Sequence, residues 1–194
     1  GPAAKAPDAQ RAPEGSLFAA VEPIEARSAA GDYRCVRTTS ELDQLVNELT
    51  AAEVIALDTE TTSISPMRAE LVGLSCSTKA GTGWYVPVRA PEGEEILPIA
   101  TVLQALRPII EDSTKPKVGR NLKNDLLVLQ NAGIELSGLS HPQSCDTMVA
   151  SYLSDASRSS HSLDALSLAL LGRQNISIKD LIGSGKKQKT FDQV

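Results

Sequence analysis

The sequence predicts an α/β fold in which helices flank a mixed sheet, and three observations carry that reading. Apolar, strand-like runs come first, at 53–58, 71–77 and 83–88, joined by short polar segments. From residue 99 onward helical periodicity takes over, interrupted by one short strand-like run near Lys117. The side chains available for a core are aliphatic, since hydrophobic residues make up 41% of the chain and aromatic ones 3%. At 194 residues the chain suits one domain with a sizeable core.

The elements follow in order. Residues 1–30 are rich in Ala and Pro, lack apolar periodicity, and read as a linker, with Gly1-Pro2 as a candidate cloning remnant. The folded domain then occupies 31–194. Tyr33 to Arg37 predict the first strand, and Ser40 with Asp43 predict the cap of a helix running to about Leu49. Glu53–Asp58, Leu71–Ser77 and Gly83–Val88 predict an antiparallel meander of three strands, the last two joined by a turn at Gly81. A helix is expected over Ile99–Glu111, then a short strand at Lys117, then a helix from Asn121 that Gly133 terminates. Asp146 and Ser162 predict caps of helices at 147–154 and 163–171, and Ser177 with Asp180 predicts one more turn.

Chemistry is concentrated where the 53–58 strand ends. Asp58 and Glu60 are two residues apart on an extended run, so their carboxylates point to the same side. Like charges so placed repel unless neutralised, and hard oxygen ligands suit Mg2+ or Mn2+. Asn121 and Asp125 lie four apart at the start of a helix, which places Asp125 as a third carboxylate. The plainer alternative makes Asn121 an N-cap and Asp125 a first-turn acid held by the helix dipole.

Bulk properties narrow the classes. Cys35, Cys76 and Cys145 are far apart and read as free thiols, not a disulfide or zinc framework. No apolar run approaches a membrane span, so no membrane association is expected. A net charge of −5 gives no support to a general affinity for nucleic acid and does not exclude binding through local cations, for which Lys186-Lys187-Gln188-Lys189 is the best patch, the alternative being a solvated loop.

Two motifs together resemble a known family. Val-Ile-Ala-Leu-Asp-Thr-Glu-Thr-Thr (54–62) and Val-Gly-Arg-Asn-Leu-Lys-Asn-Asp (118–125) resemble the first two motifs of DnaQ-like 3'-5' exonucleases with four acidic residues. The segments 69–75, 83–88, 132–136, 145–153, 161–166 and 182–194 narrow the resemblance to the proofreading domains of bacterial family A DNA polymerases, the polymerase I type, over roughly 32–194. The resemblance implies an RNase H-like fold and release of 5'-mononucleotides from DNA 3' ends, with two Mg2+ or Mn2+ ions. It implies that Asp58 bridges the ions, that Glu60 holds the nucleophile-side ion and that Asp125 serves the other. It implies substrate contacts from the backbone around Thr59 and Thr61, from Ile64 as an apolar wedge, and from Asn121 and Lys123. Asn124 stands where the family often has a tyrosine, which removes a stacking platform. His161 reads as structural.

Implied partners are single-stranded or frayed DNA 3' ends and a polymerase domain of the same parent chain, in the bacterial cytoplasm at the nucleoid. The family's third motif, Tyr-x-x-x-Asp, lies on a helix after the segment resembling Thr190–Val194, so a domain lacking its final helix and weak in isolation is expected. Tyr152 and Asp155 have the wrong spacing to replace it. The competing readings are a stand-alone nuclease of the RNase D or Werner type and a catalytically silent spacer of a polymerase.

Overall fold

The computed structural model describes residues 31–185 and 188–194. Residues 1–30, expected to be a linker, and Lys186-Lys187 of the candidate basic patch therefore lie outside the described residues. Six strands form one sheet: β1 (Asp32–Cys35), β2 (Ile55–Thr61), β3 (Leu71–Ser77), β4 (Thr82–Pro87), β5 (Lys117–Gly119) and β6 (Cys145–Asp146), in the order β1-β4-β3-β2-β5-β6. The expected meander is present as antiparallel β2, β3 and β4. β1 adds in parallel to β4, β5 to β2, and β6 to β5, so the sheet is mixed as expected.

Alternation on β2 decides which face of the sheet packs. Ile55, Leu57 and Thr59 are buried while Ala56 and Asp58 are exposed. The buried face meets α1 (Thr39–Ala51) through Leu42, Leu45 and Leu49, and α2 (Ile99–Ile110) through Val102, Leu106 and Ile109. Both sets follow helical spacing, and each fully buried aliphatic side chain contributes roughly 1.5–3 kcal/mol. Trp84 Nε1 and Thr78 Oγ1 donate to the two Glu48 oxygens at 2.9 and 2.6 Å, tying α1 to the meander.

Local chemistry corrects the reading of the first helix. Its N-cap is Thr38, not Ser40: Glu41 N donates to Thr38 Oγ1, and Thr38 N donates back to Glu41 Oε2 at 2.9 Å. Thr-x-x-Glu closes a reciprocal capping box, which Ser40 with Asp43 does not form. The far end of α1 is closed by Lys115, whose Nζ donates to the carbonyls of Leu49, Thr50 and Ala52.

Gly133 ends α3 (Leu122–Asn131) as expected. Its φ of +82° lets its N–H reach Gln130 O while Ile134 N reaches Leu129 O, a Schellman closure. The later helices α4 (Thr147–Ser154), α5 (Leu163–Leu171) and α6 (Ile178–Ile182) start on the side-chain caps Asp146, Ser162 and Ser177.

Candidate active site

Three elements meet where β2 runs past the end of β5. The β2–β5 pairing covers Ile55↔Lys117 and Ala56↔Val118, after which the chain leaves the sheet into α3. Thr59 N–H therefore has no strand partner on that side. Asp125 supplies it: Thr59 N and Thr59 Oγ1 both donate to Asp125 Oδ1, at 2.9 and 2.7 Å. Asp125 is buried, and these two bonds offset part of the cost of placing a carboxylate there. Asp125 is thus more than a solvated first-turn acid.

Asp58 and Glu60 lie on the open side of the same strand, opposite Ser75 and Gly73 of β3. The register slips between Glu60 and Thr61, so the strand bends just after the two acids. Asp58 is exposed as a residue, yet its carboxyl is pushed up to about 7, by burial first and then by the negative charges of Asp125 and Glu60. Glu60 is raised by burial and by Asp125, and Asp125 is raised by burial against the opposing Thr59 bonds. Asp58 and Glu60 thus both feel the charge of Asp125, and Asp58 that of Glu60 as well. All are hard oxygen donors that repel one another, a set whose chemistry suits a divalent cation. Among the described residues, no three His, Cys, Asp or Glu side chains close tightly around one point.

The expected substrate residues divide. Thr61 is half-buried and its hydroxyl donates to Ser63 O at 2.9 Å, fixing the loop after the strand. Ile64 projects fully from that loop, with a relative exposure of 102%. The loop is braced by Thr62 N to Glu70 O, by Ala69 N to Ser65 O, and by Asn131 Nδ2 to Pro66 O. Asn121 is the N-cap residue of α3, outside the helix, and it has the left-handed values φ 59°, ψ 44°. It makes no side-chain cap bond. This corrects the picture of Asn121 and Asp125 sharing a helix face: Asn121 sits in the turn before the helix. Lys123 is exposed and two residues before Asp125, so it points away from the carboxylates.

The cap that Asn121 does not provide comes from Asp146. Its two oxygens accept from Asn121 N at 3.0 Å and Leu122 N at 2.8 Å, while Oδ1 also accepts from Met148 N and Val149 N. Burial pushes this carboxyl up, but the four N–H groups outweigh it and hold it below the usual carboxylate range. Asp146 is legible in the sequence only as the cap of α4. Its hold on α3, and so on Asp125, depends on the parallel β5–β6 pairing.

Sequence reasoning also passed over Tyr85 and Arg120. Tyr85 pairs with Ser75, and its ring lies over Gly73, the partner of Glu60. Burial, then the Glu60 charge, pushes its phenol up to about 12. Both residues line an open cavity of about 600 Å³ on the uncovered sheet face, together with Asp58. His161 is structural: buried, it stacks on Tyr152 with ring centroids 3.6 Å apart and hydrogen-bonds Ser151 at 2.8 Å. Asp155 is held locally by Ser157, away from the other acids.

Comparison with known proteins identifies the family. Residues 33–194 match the family described as 3'-5' exonuclease. DNA polymerase I of Pseudomonas aeruginosa is 41% identical over 179 residues, covering 89% of this chain and 18% of that protein. DNA polymerase I of Chloroflexus aurantiacus is 36% identical, covering 92% of this chain and 18% of that protein. The chain thus spans about a fifth of the length of these relatives. Among solved structures, Trypanosoma brucei RNase D with GMP superposes with a TM-score of 0.60 at 15% identity, covering 75% of this chain and 43% of that one. NrnC of Brucella melitensis with bound Mg2+ gives 0.52 at 18% identity, covering 81% and 74%. At these identities the structural likeness speaks for the fold alone, a mixed sheet flanked by helices.

Proposed function

Because the chain belongs to the 3'-5' exonuclease family of DNA polymerase I, we propose that its open sheet face removes nucleotides one at a time from DNA 3' ends, releasing 5'-mononucleotides. The observation that supports this most is the convergence of Asp58, Glu60 and Asp125 at the end of β2, with the carboxyls of all three shifted upward. Asp58, Glu60 and Asp125 would hold Mg2+ or Mn2+, two ions in a complete site. Bound there, the ions supply an activated water and charge stabilisation at the leaving 3' oxygen. The chain's own residues do the positioning. Thr59 keeps Asp125 ionisable and in place through its two bonds. Ile64, on a braced loop, wedges against the terminal base and favours frayed or single-stranded ends over paired ones. Asn121, freed from capping, offers its amide to the strand, and the backbone around Thr61 contacts the terminal sugar.

The 41% identity to a DNA polymerase I favours DNA as substrate and proofreading as the role, with a polymerase domain as the partner in the parent chain. The same relationship supports a location in the bacterial cytoplasm, at the nucleoid. Among the described residues no helix is long and apolar enough to cross a membrane.

Calorimetric titration with Mn2+ tests the site. Wild type binds, and Asp58→Ala abolishes binding while leaving the far-ultraviolet circular dichroism unchanged. Equal binding by the two proteins would refute the metal assignment.

A further inference from the structure

We propose that Tyr85 is a positioning residue of this site: its hydroxyl donates to the Glu60 carboxylate from two strands away and holds it ready to ligate a divalent ion. The proposal rests on the exonuclease reading above, and Tyr85 lies on β4, outside both acidic motifs.

Sheet register carries the geometry. Asp58, Ser75 and Tyr85 form one row across β2, β3 and β4. Two residues further along β2, Glu60 and its partner Gly73 form another row on the same face. β4 is antiparallel to β3, as β2 is, so β4 and β2 run the same way. The Tyr85 side chain leans along its strand toward the second row, and its ring and hydroxyl come to rest over Gly73. A Cβ at Gly73 would overlap the hydroxyl itself, so the missing side chain is what admits it. The hydroxyl has thereby crossed one of the two strand spacings between β4 and β2. The other, about 4.8 Å, is within reach of a glutamate side chain. Cys35, the partner of Tyr85 on β1, lies on the opposite side, away from the lean of the ring.

Donor and acceptor are both unspent. Tyr85 is half-buried, yet its hydroxyl makes no hydrogen bond among the described residues, whereas tyrosine hydroxyls in such places usually find a partner. Of the three acids, Asp125 is held by the two Thr59 bonds, and the Thr59 N–H also draws the Asp58 carboxyl down. No N–H or O–H does this for Glu60 among the described residues. Glu60 also has the longest side chain of the three and the most rotamer freedom to lose. Burial first, then the Glu60 charge, holds the proton on the phenol, so it meets a carboxylate as a donor. Carboxylates that ligate metals are themselves oriented by such hydrogen bonds.

Calorimetric titration of this chain with Mn2+ is the test, using Tyr85→Phe, which keeps the ring over Gly73 and removes only the hydroxyl. The variant binds Mn2+ about tenfold more weakly than wild type, while its melting temperature in EDTA does not fall. Tyr33→Phe is the control: Tyr33 lines the same cavity, but its ring lies beside Gly83, and its loss leaves Mn2+ affinity as in wild type. Equal affinity in Tyr85→Phe and wild type overturns the proposal, since the ring would then serve only to cover Gly73, and it leaves the exonuclease reading intact. An equal loss in Tyr33→Phe overturns it too, because the effect would not belong to the hydroxyl that faces Glu60. Failure of wild type to bind Mn2+ overturns the metal assignment itself.

Discussion

Glycine at position 73 sets how closely a phenol approaches Glu60. Gly73 faces Glu60 across the β2–β3 ladder, and a Cβ at Gly73 would overlap the Tyr85 ring. The absent side chain lets the ring lie flat over the backbone beside the acid. Gly73→Ala is expected to destabilise the domain by about 1–3 kcal/mol, the usual cost of overpacking. In a Tyr85→Ala background the same change should cost much less, because the clash is gone. Urea melts of the four proteins check this; equal costs in both backgrounds would mean that the ring moves freely. The Thr59–Asp125 pair teaches a related lesson at the same scale. The sequence places a threonine and an aspartate 66 positions apart, and nothing local announces that one neutral side chain will hold the other's carboxylate. Their bond exists because β5 ends early and leaves an N–H for α3 to satisfy.

Among the elements, α3 is the one whose placement decides the site, and it hangs on Asp146. That carboxylate serves the first N–H groups of two helices at once, Asn121 and Leu122 for α3 and Met148 and Val149 for α4. A single cap is worth about 1 kcal/mol, and bonds to an ionised acceptor are roughly twice as strong as neutral ones. Asp146→Ala is therefore expected to cost about 2–4 kcal/mol in urea denaturation, with Asp146→Asn in between. A loss near 0.5 kcal/mol would show that α3 is held by packing alone. Strands were the most legible elements, because alternation such as Ile55-Ala56-Leu57-Asp58 is a local signal. Helix starts were less so. Ser40 and Asn121 are good capping residues in general, yet Thr38 and Asp146 do the work here, the first through a nearby glutamate and the second through a distant strand. The two acids of β2 were readable for the same local reason as the strand. Arg120 was not, because its place in the cavity that Asp58 also lines depends on where the chain leaves β5, which no local pattern encodes.

For the molecule as a whole, the cluster of acids makes stability depend on pH in an unusual direction. The Asp58 carboxyl lies at about 7 in the folded chain against an ordinary 3.8. Between those values the folded state binds more protons than the unfolded one, so stability falls as pH rises. The contribution is fully present below about pH 4 and is lost as pH climbs through 7. Glu60 and Asp125 are shifted the same way, by burial and by neighbouring charge or against the Thr59 bonds, and they add to the trend. Carboxylates shifted downward act in the opposite sense: Glu48, held by Thr78 and Trp84, and Asp146, whose N–H partners outweigh its burial. Their stabilisation is lost only as pH falls through the acid range, outside the window from 5 to 8. Metal-free protein should therefore melt at a lower temperature at pH 8 than at pH 5. A divalent cation binds the ionised, folded form and competes with protons, so Mn2+ should raise the melting temperature far more at pH 8 than at pH 5. Asp58→Asn should reduce the pH dependence and blunt the Mn2+ effect together, because the same carboxylate contributes to both. Differential scanning calorimetry of the two proteins at both pH values, with EDTA or Mn2+, reads all of this directly. A wild-type melting temperature that is flat from pH 5 to 8 and indifferent to Mn2+ would mean that Asp58, Glu60 and Asp125 do not form one electrostatic unit.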